Sequence, residues 1–184
     1  MYHEGTGVPR DAAEAARWYL LAADQGYALA QFALGMMHSR GEGVPRSEAA
    51  AIRWYASAAE QGDALAQTNL GVMLAQRWYR NHLAIQEDSL ARTIGLGQQD
   101  LVLAFKWLTL AATQDNATAR TNLGVLEPRL TPGELAEAQR LAQEWLDRRA
   151  RDAPSETIRG PGAAASVDAS EPRTVLTRTD AGRY

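Results

Sequence analysis

The sequence predicts an all-α superhelical solenoid of helix-turn-helix units, followed by a C-terminal capping helix. Three observations carry that prediction. First, residues 7–35 (GVPRDAAEAARWYLLAADQGYALAQFALG) match residues 43–71 (GVPRSEAAAIRWYASAAEQGDALAQTNLG) at 19 of 29 positions, with an offset of 36. Second, residues 104–124 (AFKWLTLAATQDNATARTNLG) match residues 51–71 at 11 of 21 positions, at a further offset of 53. The 17 additional residues mark an insertion between copies two and three. Third, apolar and small residues inside each copy recur at helical spacing. Periods of this length belong to stacked supersecondary units, none of which can bury its apolar face alone.

Each copy reads as two helices. In copy one, Asp11 with Glu14 forms a capping box just after Pro9. Ala15, Trp18, Tyr19, Ala22 and Ala23 then follow helical spacing, and Gly26 is placed to end the helix in the left-handed conformation. Ala28, Ala30, Leu34 and Gly35 carry the second helix. Copy two repeats the scheme with Ser47 as cap, Trp54, Tyr55, Gly62, Asp63 and Leu70. In copy three Asp100, Trp107, Asp115, Asn116 and Leu123 take the corresponding places. Small alanines let helices approach closely, and Trp18, Trp54 and Trp107, recurring at one structural position, read as core packing between layers. Leu70, Leu74 and Trp78 share a face, so the second helix of copy two is expected to run past its normal end into an insertion at about residues 77–94. A final helix at about residues 132–149 starts at Thr131-Pro132-Gly133-Glu134 and bears the stripe Leu135, Ala138, Leu141, Ala142, Trp145 and Leu146. Such a helix is expected to seal the last open layer. Residues 150–184 lose apolar periodicity and read as a disordered tail.

Composition bounds the function. The chain has 184 residues, 46% hydrophobic and 22% charged, with a formal net charge of −3. That suits one domain with a core over residues 1–149. It disfavours a nucleic-acid partner, which normally requires a basic excess. There is no cysteine, which excludes disulfides, cysteine nucleophiles and cysteine-ligated metals. Arginines number 18 against one lysine, Lys106, a bias that fits a GC-rich bacterial genome. No membrane span is expected, because the longest uncharged run, residues 25–39, falls short of the roughly 18 apolar residues required. No targeting segment is visible at the start, and the compartment stays open.

The pattern GxGVPxD…AxxWYxxAAxQGxAxAQxxLG resembles the Sel-one-like repeat, a branch of the tetratricopeptide superfamily. It is carried by Gly5, Gly7, Val8, Pro9 and Asp11 with Ala15, Trp18, Tyr19, Ala22, Ala23, Gln25, Gly26, Ala30 and Gln31. It recurs at Gly41, Gly43, Val44 and Pro45 with Ala51, Trp54, Tyr55, Ala58, Ala59, Gln61, Gly62, Ala66 and Gln67. Copy three departs from it: Leu108 replaces the tyrosine, Asp115 the glycine, and the loop reads Gly95-Leu96-Gly97-Gln98-Gln99. The segment from Leu130 to Trp145 is similar to the end helix of bacterial members. The resemblance covers about residues 1–149, apart from residues 77–94. It implies a right-handed superhelix and a non-catalytic scaffold or adaptor that binds a protein or peptide in the repeat groove. Met1 aligns with Met37, inside a repeat, so a shortened version of a longer repeat protein is a further expectation, with a structural module of that protein as the alternative role.

Binding specificity is expected where the copies differ and the first helices face outward. One stripe comprises Glu14, Arg17, Leu21 and Asp24, then Ala50, Arg53, Ser57 and Glu60, then Leu103, Lys106, Leu110 and Thr113. Stacking aligns Arg17, Arg53 and Lys106 in a column about 10 Å apart. A basic column could grip an acidic peptide or a C-terminal carboxylate; it equally reads as solvated residues paired with acidic neighbours. In the insertion, Trp78, Tyr79 and Arg80 are residue types found at interface hot spots, although Trp78 and Leu83 also read as cover for an enlarged gap. The candidate partner-binding residues are therefore Arg17, Leu21, Arg53, Ser57, Lys106, Leu110, Trp78, Tyr79 and Arg80. No cofactor or metal is implied, because His3, His38 and His82 lack the spacing of a two-histidine site. A hydrolase acting on cell-wall material or β-lactams is the remaining enzyme reading. It is weakened by Leu103, which stands where a Ser-x-x-Lys motif ending at Lys106 would need serine, and by the absence of Gly-x-Ser-x-Gly.

Overall fold

The computed structural model describes residues 11–85 and 98–153. The first copy's GxGVP loop at residues 5–9, the insertion beyond residue 85, the Gly95–Gly97 loop and the tail from residue 154 lie outside the described residues. Within the described residues the chain is a helical repeat solenoid. Helix α1 is Ala12–Asp24 and α2 Ala28–Arg40; α3 is Glu48–Glu60 and α4 Ala64–Ile85; α5 is Gln98–Ala112 and α6 Ala117–Leu126. A short 3-10 turn, Glu127–Arg129, leads to α7, Pro132–Asp152, which continues past the boundary at 149 expected from periodicity.

Local chemistry sets these limits. The Asp11 carboxylate accepts from the Ala13 and Glu14 N–H groups, both at 3.0 Å. The Ser47 hydroxyl accepts from Ala50 N, Asp63 from Ala66 N and Asn116 from Ala119 N. Each such cap is worth about 0.5–2 kcal/mol, because it satisfies an orphan donor of the first turn. Tyr27 holds the same place before α2 and supplies no side-chain cap. The first helices end alike, in paired backbone bonds around a left-handed residue. That residue is Gly26 at φ 88°, Gly62 at φ 90° and Asp115 at φ 62°. Asp100 does not cap α5: the helix begins two residues earlier, and the Asp100 carboxylate takes both Arg77 Nε, at 2.7 Å, and a terminal guanidinium nitrogen.

Stacking rests on two recurring contacts. Gly35 of α2 lies beneath Tyr55, where an added Cβ would stand 2.5 Å from the ring, and Gly71 of α4 lies beneath Leu108 at 2.7 Å. Glycine is required there because the next unit's first helix presses directly on the backbone. A glutamine relay adds register. Gln31 Nε2 donates to the Ala23 carbonyl and Gln67 Nε2 to Ala59. Their own side-chain oxygens accept from Gln61 and Gln114 of the following unit at 2.7 and 2.9 Å. Gln31 and Gln67 are buried, so these bonds offset a desolvation cost of about 1–3 kcal/mol for each group. Copy three has Arg120 at this position, bonded to Asp115 instead.

Helix α4 extends as expected. Its last turns are anchored on α5 by the Arg77–Asp100 pair and by Trp78 Nε1, which donates to Gln98 Oε1 at 2.6 Å. The final helix differs from expectation. It does not seal the layer of α6; it packs on α5 and reaches the end of α3. Gly124, the counterpart of Gly35 and Gly71, has no described residue within 4 Å of where a Cβ would stand. Helix α6 buries only Ala119 and Leu126. The physical reason lies in anchors on the first-helix face, which hold α7 away from that end.

Candidate partner-binding face

Helix α7 lies along the third unit's part of the first-helix face. Trp145 meets Trp107 edge-on, and its Nε1–H donates to Glu60 at 2.8 Å. Arg149, one turn later, lies over the Trp145 ring at 5.3 Å and donates to the Gln61 carbonyl at 2.6 Å. Arg148 stands 3.8 Å from the Glu60 carboxylate. Ala138 and Ala142 are buried against the core, so α7 approaches closely.

This docking changes the expected basic column. Arg17 and Arg53 are exposed, the former paired with Glu14 at 3.3 Å. Leu21 is exposed, and Ser57 is half-buried, its hydroxyl donating to the Arg53 carbonyl. Lys106, by contrast, is only 8% exposed and Leu110 only 1%. Neither presents itself outward, and around Lys106 the third unit's face is covered by α7. The Lys106 ammonium sits 3.9 Å from the Trp107 ring centroid. Burial lowers its pKa below the ordinary lysine value, with Glu60 opposing and Arg148 reinforcing the shift. A pocket of about 500 Å³ remains there, between Lys106, Glu60, Trp145, Arg148 and Arg151.

The three repeated tryptophans grade along the stack. Trp107 is 5% exposed, Trp54 is half-buried against Ala23, Ala30 and Leu34, and Trp18 is 55% exposed. Core packing, expected for all three, is complete only at Trp107.

The insertion residues part company too. Trp78 is buried, bonded to Gln98 and stacked on His82 with centroids 4.8 Å apart. It fastens α4 to α5 and is not presented to a partner. Tyr79 is 51% exposed and lines a pocket of about 310 Å³ with Val72, Asn122, Val125 and Arg129. Arg80 holds both Glu48 carboxylate oxygens at 2.5 Å beside a polar pocket of about 230 Å³ that includes Ser39, Arg46 and Tyr55. Arg17, Leu21, Arg53 and Ser57 line none of these three pockets. Sequence reasoning missed Glu60, Gln61, Trp145 and Arg149 as a docking set. The available signal was Trp145, an aromatic on a stripe otherwise built of Ala and Leu.

Among the described residues no group of His, Asp and Glu could hold a metal ion, and no helix is long and apolar enough to cross a membrane. The Sel1 repeat family model matches residues 1–27, 28–63 and 90–116. The chain is similar to the crystal structure of a protective antigen present in uropathogenic Escherichia coli strains and displaying an SLR fold. Identity is 27% and the TM-score 0.61, over 91% of this chain and 33% of that one. It thus spans about a third of that protein's length. It is also similar to a Sel1 repeat protein from Oxalobacter formigenes, at 26% identity and a TM-score of 0.41, over 79% of this chain and 69% of the other. A search of the curated proteins finds no match. Proteins built from Sel1 repeats generally serve as protein-interaction scaffolds. This chain thus carries three Sel1 repeats on its stacked helix pairs.

Proposed function

We propose that the chain is a non-catalytic adaptor that holds a protein or peptide partner on the face formed by α1 and α3. One observation carries this reading. The third unit's share of that face accepts a chain segment, α7, through aromatic and charged anchors, while the equivalent residues Arg17, Leu21, Arg53 and Ser57 of the first two units remain open to solvent or half-covered. Contacts spread over several units suit a groove binder, in which a few anchors dominate affinity. Lys106 lies there beneath α7 and Leu110 is buried in the core, and Tyr79 offers a separate apolar contact on the second helices.

A photo-crosslinking residue placed at Ser57 in the native host tests the proposal. The expected result is one dominant crosslinked partner, identified by mass spectrometry and lost in a folded Arg17→Glu, Arg53→Glu variant. Equal capture by wild type and variant would reject the face. Crosslinks only at Tyr79 would move the site to the second helices.

A further inference from the structure

We infer that the face of α3 and the end of α1 is a seat for an amphipathic partner helix carrying Trp and, four residues later, Arg. The inference rests on the proposed partner-binding face and names the chemistry of its occupant. It follows from repeat equivalence. The seat that α7 uses consists of Trp107, the Glu60 carboxylate, the Gln61 carbonyl and the open backbone of Gly62. One unit earlier these positions are Trp54, Asp24, Gln25 and Gly26.

The equivalence is geometric as well as sequential. Gln61 has φ −80° and ψ −2°, and Gln25 has φ −83° and ψ 2°. Gly62 and Gly26 share the left-handed conformation at φ 90° and 88°. Both carbonyls are therefore presented by the same turn. At Gly62 the Arg149 guanidinium carbon lies 2.6 Å from where a Cβ would stand, so the absence of a side chain is what admits it. At Gly26 no described residue lies within 4 Å of that point. Among the described residues the first seat is full and the second is empty.

The occupant's chemistry follows from what fills the first seat. Positions i and i+4 of one helix project on the same face a turn apart. That spacing lets an indole N–H reach a carboxylate while a guanidinium reaches the next residue's carbonyl. Asp24 supplies the carboxylate, and half-buried Trp54 supplies an edge-to-face partner. A second arginine beside the first, as Arg148 is beside Arg149, would pair with Asp24 as Arg148 does with Glu60. Arg53 and Ser57 replace Lys106 and Leu110, so the face is more polar than the third unit's and suits a helix that binds and leaves.

The test uses a fluorescein-labelled peptide of residues 132–152, titrated into the full chain and followed by anisotropy. The expected result is saturable binding. Trp145→Ala or Arg149→Ala in the peptide should weaken it at least about tenfold, the scale of a hot-spot truncation. Asp24→Lys in the chain should do the same with unchanged circular dichroism. Displacement of the chain's own α7 is disfavoured by its effective concentration, on the order of millimolar. Binding that ignores Asp24→Lys and responds to Glu60→Lys would show such displacement and overturn the inference. Failure to saturate would overturn it too, as would an Asp24-dependent dimer of the unliganded chain, which makes a second copy the occupant. If the peptide is inert while a partner still crosslinks at Ser57, the helix seat fails and the binding face stands. Loss of both rejects both.

Discussion

Trp145 stands edge-on to Trp107, with ring centroids 6.4 Å apart and planes at 74°. Both rings are buried, and Trp145 also donates to Glu60 and lies under Arg149. One side chain thus joins α7 to two successive units. Trp145→Ala should cost about 3–5 kcal/mol, the range for removing a buried aromatic. The loss should fall on α7, which is anchored on α5 and α3. Urea titration should then show α7 releasing before the stack, with tryptophan emission shifting red as Trp107 meets water. A single cooperative shift of the whole transition would instead make α7 an integral layer.

The glycines of the second helices give a comparison with an internal control. Gly35 and Gly71 lie against Tyr55 and Leu108, and an added methyl has no room. Gly35→Ala and Gly71→Ala should each destabilise by about 1–3 kcal/mol, as overpacking does. Gly124→Ala meets nothing among the described residues. There helix propensity decides, and the same substitution should stabilise by about 0.5–1 kcal/mol. Denaturation midpoints of the three variants check the signs. A destabilising Gly124→Ala would mean that something does pack on α6.

Asp115 occupies the left-handed position that Gly26 and Gly62 fill in the other copies. An L-residue there costs about 1–2 kcal/mol, less for Asp than for most. Glycine removes that strain but adds about 0.4–1 kcal/mol of unfolded-state entropy. The ion pair with Arg120, at 3.3 Å and exposed, contributes little. Asp115→Gly should therefore stabilise by about 0.5 kcal/mol, and Asp115→Val should destabilise. Thermal melts of the two variants should move in opposite directions.

The repeat register was legible because it rests on local rules that recur. Ser47, Asp63 and Asn116 cap where their types predict, and Gly26 and Gly62 turn as required. The path of α7 was not legible. Its apolar stripe specifies that a face is buried but not which neighbour buries it. That choice depended on long-range pairings, Trp145 with Glu60 and Arg149 with Gln61, across some 85 residues of chain. The same pairings cover Lys106, which shares a stripe with Arg17 in sequence but lies under α7 in space, and Leu110 is buried where its counterpart Leu21 is exposed. Trp78 shows the reverse case. Its type suggested an interface anchor, yet the extended α4 brings it beside Gln98 and His82, where packing claims it.

Lys106 is the chain's single lysine, held beneath α7 beside Glu60, Glu144, Arg148 and Arg151. Burial is the main cause that lowers its pKa from 10.5; Glu60 raises it and Arg148 lowers it further. A base whose pKa falls on folding binds its proton more weakly in the folded state. Between the folded pKa and 10.5 the unfolded chain therefore carries more protons, and stability rises with pH. Below the folded pKa both states are protonated and the dependence disappears. Lys106→Met keeps the apolar stem and removes the titration. The stability of the wild type relative to this variant should thus be flat near neutral pH and climb toward 10.5. Tyr55, whose pKa burial raises, titrates in both proteins and cancels in the difference. Urea titrations of the pair from neutral to alkaline pH check the slope. Parallel curves throughout would mean that the Lys106 ammonium is as well solvated in the folded chain as in the unfolded one, and that α7 does not cover it.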